Sequence, residues 1–239
     1  MTPVEYTELT SSGFPMSGSP KGYCLHPSAV LARLFAEKPY QGADPRSAMF
    51  LFVGLDANYD KEVERKSVFS KILEYHQDGP VFWREHGMHH PFLLSEYSGS
   101  GKPYHLSFRQ IDFAPKHATL VSFMELLHVP TSGVSKLTPR DLSPAHLTMV
   151  NDMMLSGAAS HIFLAGKVSR LMHASKAFGW LGSRAIDFLG PLEILYRGGG
   201  KTIYRHIHFS AWGKYQERKM QDLNAIRELV AGILSPLSA

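Results

Sequence analysis

The segment Ala48-Met49-Phe50-Leu51-Phe52-Val53 is apolar at every position, and three further runs resemble it: Ala118 to Phe123, His161 to Ala165 and Thr202 to His208. A strand without polar alternation is one covered on both faces, as in a parallel sheet flanked by helices. Helical or polar stretches separate the four runs: Lys61 to Tyr75, Pro144 to Leu155, Lys167 to Phe178, and a long closing helix from about Lys214 to Leu234. A further helix is expected after Pro27-Ser28, where Val30, Leu31, Leu34 and Phe35 recur at helical spacing. This alternation predicts an α/β fold, three layers α/β/α around a central four-stranded, mainly parallel sheet. Met149, Met153 and Met154 read as helix core. Gly198-Gly199-Gly200-Lys201-Thr202 superficially resembles a phosphate loop, but Leu195 stands where that pattern needs a glycine and a strand comes next. A hairpin turn between Ile194-Leu195-Tyr196 and Ile203-Tyr204 accounts for it better.

The first twenty residues are rich in Ser, Gly, Thr and Pro, so residues 1–25 are expected to form an N-terminal arm and residues 26–239 a single domain. A chain of 239 residues fits one core, since cores grow to roughly 250 residues before chains split. Its 44% apolar share suffices to fill that core. A net charge of +4 and a pI near 9.1 permit a polyanionic partner without demanding one. The single cysteine, Cys24, excludes an internal disulfide and a cysteine-built metal cluster, and suits a reducing compartment. No apolar run approaches the ~20 residues of a membrane span, and Met1 to Pro20 lacks the charged head and apolar block of a signal peptide. A cytoplasmic monomer without membrane contact is the expectation.

In parallel α/β sheets ligands bind beyond the carboxyl ends of the strands, which directs attention to the residues just past each run. After the first come Gly54-Leu55-Asp56-Ala57-Asn58-Tyr59, placing the Asp56 carboxylate at the sheet's rim, where an acid or base is useful; a turn-capping Asp is the plainer alternative. The last run ends in His208-Phe209-Ser210 and leads to Trp212 and a helix carrying Arg218 and Lys219. If alternation held to the strand's end, His206 and His208 would share a face, with His208 nearest the crevice. A satisfied surface imidazole is the alternative there.

Together the two segments resemble the uracil-DNA glycosylase superfamily. Gly54-Leu55-Asp56 is similar to the family's water-activating loop, Gly-Gln-Asp-Pro-Tyr-His or Gly-Met-Asn-Pro-Gly, with Tyr59 near its loop tyrosine. His208-Phe209-Ser210 is similar to its His-Pro-Ser loop, Phe209 replacing the proline. Phe82-Trp83-Arg84 resembles a Phe-Trp-Lys/Arg run of the mismatch-directed branch, and the third strand ends in Gly166 as in the family. The resemblance, over roughly residues 48 to 230, implies an enzyme without metal or other cofactor that flips a nucleotide of DNA and hydrolyses its N-glycosidic bond. In that reading Asp56 and His208 are catalytic: the carboxylate stabilises the sugar cation and orients water, and the imidazole donates a hydrogen bond to the departing base. Gly54, Leu55, Tyr59, Phe69, Phe82, Ser122, Phe123 and Ser210 bind the nucleotide, with Phe69 or Phe82 stacking on the base. Phe209 or Trp212 wedges into the vacated stack, and Lys214, Arg218 and Lys219 hold phosphates. Core packing is the competing role for the phenylalanines.

The sequence departs from the family in two places. Where the second strand usually ends in an asparagine that reads uracil, Thr119 to Glu125 offers Ser122 or Phe123; and Ala57-Asn58 replaces the proline after the acid. The substrate therefore stays open between a uracil-type and another damaged base. So do two other functions, a non-catalytic nucleic-acid-binding relative and a metal-dependent hydrolase. The last draws on thirteen histidines, His86, His89, His90, His105, His117 and His128 clustering mid-chain, although no His-Glu-x-x-His signature occurs. No nucleophile-elbow Gly-x-Ser-x-Gly surrounds Ser132 or Ser210.

Overall fold

A computed structural model describes residues 21–235; residues 1–20, most of the expected arm, and 236–239 lie outside the described part. In chain order the strands are β1 (Cys24–Leu25), β2 (Tyr40–Gly42), β3 (Phe50–Gly54), β4 (Val121–Glu125), β5 (Thr131–Ser132), β6 (His161–Ala165), β7 (Asp187–Leu189), β8 (Leu192–Gly198) and β9 (Lys201–His206). The α-helices are α1 (Ala29–Glu37), α2 (Phe69–Gln77), α3 (Gly79–His86), α4 (Lys102–Phe108), α5 (Pro144–Ser156), α6 (Gly166–His173) and α7 (Gln216–Leu234).

The fold is mixed α/β. β4, β3, β6 and β9 are the four expected runs, lying side by side and parallel at the centre of the sheet. The sheet itself has seven strands, not four: β2 adds to β4 at one edge, and at the other β8 adds to β9 and β7 to β8, each pairing antiparallel. These edge strands escape the apolar-run criterion because β2 is three residues long and all three residues of β7 are exposed. Gly199 and Gly200, both with positive φ (57° and 75°), form the two-residue loop of the β8–β9 hairpin, where paired left-handed residues match the twist of the strands.

Strand periodicity sorts the core into two halves. Leu51 and Val53 of β3 face one way, with Ile162, Leu164 and Ile203, against Leu147, Val150 and Met154 of α5 and Val168 and Met172 of α6. Phe50 and Phe52 face the other way, with Phe123, Phe163 and Tyr204, against Trp83 of α3, Phe108 of α4 and Leu223, Ile226 and Val230 of α7. A third cluster, Leu31 and Phe35 of α1 with Tyr59, Ile72, Phe92 and Tyr97, lies under the loop leaving β3.

Local chemistry fixes the helix ends. The Ser28 hydroxyl caps α1 by accepting from the Leu31 N–H (3.0 Å), Asp78 caps α3 by accepting from the Val81 N–H (2.9 Å), and Gly87 ends α3 with φ 65°. Residues 21–25 of the expected arm run along the domain, β1 pairing with β5.

Candidate active site

The chain leaves β3 at Gly54 and does not wander. Its carbonyls at Gly54 and Leu55 accept from the N–H groups of Leu126 and Leu127 (3.0 and 2.9 Å), and Ala57 and Tyr59 exchange hydrogen bonds with Thr131 (2.9 Å each). The Asn58 amide donates to the Thr131 hydroxyl (3.1 Å) and the Gly133 carbonyl (2.7 Å). The loop is thus zipped to the segment after β4, which holds Asp56 in one place. The Thr131 and Ser135 hydroxyls both donate to Asp56 Oδ2, Ser135 at 2.6 Å. The clamp fixes the rotation of the carboxyl group.

The other side is built from the end of β9. His208 lies two residues beyond the strand, in the loop, and the face it shares is not that of His206: His206 is buried against Phe209 (4.4 Å between rings), while His208 lines the pocket. Asp222 of α7, fully buried, fixes the loop by accepting from the Ile207 N–H (2.7 Å) and the Arg218 guanidinium (2.9 Å). The Ser210 N–H donates to His208 Nδ1 at 3.2 Å, so the neutral ring carries its proton on Nε2. Burial draws the imidazole below its ordinary value; Asp56 opposes the shift, and Lys167 and Lys219 add to it.

Asp56 and His208 therefore line one pocket of about 580 Å³, a volume ordinary for a small-molecule site. Gly54, Leu55, Tyr59, Phe123 and Ser210 line it too. The Tyr59 hydroxyl accepts from Gln41 (2.8 Å), and burial raises its titration out of the physiological range. The remaining wall comes from residues that sequence patterns do not mark: Phe92, Gly101, Tyr104 and the stacked pair His90 and His105 (ring centroids 3.7 Å apart). Glu125, the last residue of β4, lies at the same pocket, and burial next to Asp56 pushes its carboxyl well above the usual carboxylate range.

No family model matches the chain, and no curated protein matches it.

Several expected contacts are not made. Phe82 is fully buried against Tyr75 and His86, and Phe69 packs on the cluster under the β3 loop; neither lines the pocket, because their helices turn these apolar faces to the core. Ser122 points to the opposite side of the sheet from Phe123, as strand alternation requires, and is buried with its hydroxyl unpartnered. Phe209 is fully buried in the core and cannot wedge into anything. Of the three cations, Lys219 is buried and Arg218 is engaged by Asp222 and the Pro191 carbonyl, which leaves Lys214 exposed beside Trp212. Trp212 is 83% exposed on the pocket's rim, and Val134, 81% exposed, is among the same lining residues.

Among the described residues one group has metal-ligand spacing, Glu74, Glu85 and His86, on the α2–α3 surface and outside the pocket lining. Two of its members are already paired: Glu74 bonds His86 and Lys71, each at 2.6 Å. Of the mid-chain histidines, His89, His90 and His105 meet each other, His89 Nε2 lying 3.1 Å from His105 Nδ1 and the rings of His90 and His105 stacking. No described helix is long and apolar enough to cross a membrane.

Proposed function

We propose that the protein is a DNA glycosylase, a divergent relative of the uracil-DNA glycosylases, that acts in the cytoplasm on a flipped nucleotide carrying a uracil-type or other modified base. The observation that carries this reading is the meeting, at one pocket, of a hydroxyl-clamped carboxylate and a neutral imidazole whose proton is fixed on Nε2. Glycosidic hydrolysis needs these two groups on opposite sides of the breaking bond. As the C1′–N bond lengthens, positive charge grows on the sugar and negative charge on the base. Asp56 stabilises the first and orients a water; as that water's oxygen bonds to C1′, its proton passes to the carboxylate. His208 Nε2–H donates to the base oxygen as charge arrives there, and the base leaves with the bonding electron pair. A neutral donor suits this role, since it costs no charge burial before reaction and is already oriented.

Aromatic walls at Phe92, Tyr104 and Phe123 suit a planar base, and Trp212, with Lys214 beside it, suits contact with the duplex around an extruded nucleotide. The test is release of free base from oligonucleotides containing uracil, hypoxanthine, xanthine or mismatched thymine. Release that survives both Asp56→Asn and His208→Ala overturns the mechanism, and binding without release leaves a module that only recognises DNA.

A further inference from the structure

Glycosidic hydrolysis leaves two protons to place. The attacking water gives one to Asp56, and the base departs as an anion that needs one. With an extruded nucleotide in the pocket and the duplex resting on the rim at Trp212 and Val134, the mouth is closed to bulk water. A pair of histidines offers a route through the pocket wall. His89 Nε2 lies 3.1 Å from His105 Nδ1, both rings being buried. His105, on α4, lines the pocket and stacks on His90, whereas His89, in the turn after α3, lines a separate cleft of about 40 Å³ with Gly87, Met88 and Arg109. That cleft has room for water, since one molecule needs about 10–15 Å³. With the inner nitrogens committed to each other, His105 Nε2 is left for the pocket and His89 Nδ1 for the cleft.

A neutral imidazole has one N–H and one bare nitrogen, so two rings sharing a hydrogen bond have two arrangements. With the shared proton on His89 Nε2, His105 carries its own on Nε2, toward the pocket. With the shared proton on His105 Nδ1, His89 carries its own on Nδ1, toward the cleft. Passing from one arrangement to the other moves a proton from end to end, and neither ring has to become charged. Burial favours the neutral rings: it draws His105 to about 3, and with His105 and Arg109 adding to the effect it holds His89 well below the ordinary histidine value.

We propose that His89 and His105 form a proton relay between the pocket and the water of the cleft, serving the hydrolysis proposed above and resting on that reading. As the base leaves, the His105 Nε2 proton passes to the base anion, the shared proton moves from His89 Nε2 to His105 Nδ1, and a cleft water protonates His89 Nδ1, leaving hydroxide. The return stroke regenerates Asp56. Its acquired proton reaches the bare His105 Nε2 through water in the pocket, the shared proton moves back, and the His89 Nδ1 proton neutralises the hydroxide. One water is consumed, sugar and base take its hydroxyl and its proton, and all three side chains end as they began.

The experiment measures single-turnover base release by the full chain from a duplex carrying uracil, hypoxanthine, xanthine or mismatched thymine, and from a short single strand with the same base, which leaves the mouth open to water. His89→Phe keeps a ring among Trp83, Phe108 and Phe123 but cannot pass a proton. It should slow release from duplex at least about tenfold and from the single strand by no more than about threefold. His89→Gly opens the cleft to small rings: added imidazole should restore duplex release to within about threefold of the unsubstituted rate, while pyrrole, similar in shape but with a single nitrogen, should not. Equal slowing on duplex and single strand, or rescue by pyrrole as well as imidazole, makes His89 a packing residue and overturns the relay. Melting temperatures show whether His89→Gly folds; if it does not, the two substrates with His89→Phe decide. Duplex release indifferent to His89→Phe sinks the relay and spares the glycosylase, whereas no release from any substrate by the unsubstituted protein sinks the glycosylase and the relay with it.

Discussion

Lowering the pH from 7.5 to 5.0 should strip several kcal/mol from the stability of this fold, because it buries neutral histidines. His76 and His206 are each drawn by burial to about 4 and His105 to about 3, and His89 and His90 lie well below their ordinary value for the same first cause. An unfolded histidine titrates near 6.5, so between that value and the folded one the unfolded chain binds more protons. The stability these groups allow is complete above about pH 6.5 and falls as the pH drops below it. At pH 5.0 a group shifted from about 6.5 to about 4 contributes about 2 kcal/mol of destabilisation. His76, His105 and His206 together reach about 6 kcal/mol, comparable to the whole stability of many domains. Urea unfolding followed by circular dichroism at both pH values measures it. His76→Phe is the control: the ring packs on Phe35 (4.8 Å between centroids) with both nitrogens buried and unpartnered, so the variant should be no less stable at pH 7.5 and should lose about 2 kcal/mol less on acidification. An unfolding free energy constant to within about 1 kcal/mol across the two pH values would refute the reasoning that these imidazoles are held neutral by burial.

Gly54→Ala should place a methyl group on the Glu125 carboxyl and cost about 1–3 kcal/mol of overpacking, with at least a tenfold loss of base release, read by urea unfolding and product assay. Asp222→Ala leaves the Ile207 N–H and Arg218 without their buried partner and frees the His208 loop; kcat should fall more than tenfold with KM little changed, and Asp222→Asn should recover part of it. Trp212→Ala should leave stability within about 0.5 kcal/mol, since the ring is exposed, yet slow release from duplex more than from single-stranded DNA.

The four central strands could be read from the sequence because burial on both faces writes itself as unbroken apolar runs. The edge strands could not, since β2 and β7 carry neither length nor alternation. One side of the pocket was equally legible: Asp56 and His208 come after strands, and the rule that ligands bind past strand ends finds them. The opposite wall was not, because Phe92, Tyr104, His105 and Ser135 come from short helices and loops brought together only by tertiary packing. Boundary error explains Ser122. A second strand ending at Phe123 makes residues 122 and 123 the pocket candidates, but β4 runs two residues further and delivers Glu125. Phe69, Phe82 and Phe209 show a different limit, as aromatic side chains near a site are chemically indistinguishable in sequence from those that fill the core beneath it.

Glycosidic hydrolysis by Asp56 and His208 is tested most simply by single-turnover base release from duplexes each carrying uracil, hypoxanthine, xanthine or mismatched thymine, with the unsubstituted protein, Asp56→Asn and His208→Ala. The unsubstituted protein should release at least one base, and each variant should lose at least about a hundredfold in rate, the cost of removing one preorganised transition-state contact. Release that persists at the unsubstituted rate in both variants, or no release from any duplex, contradicts the assignment.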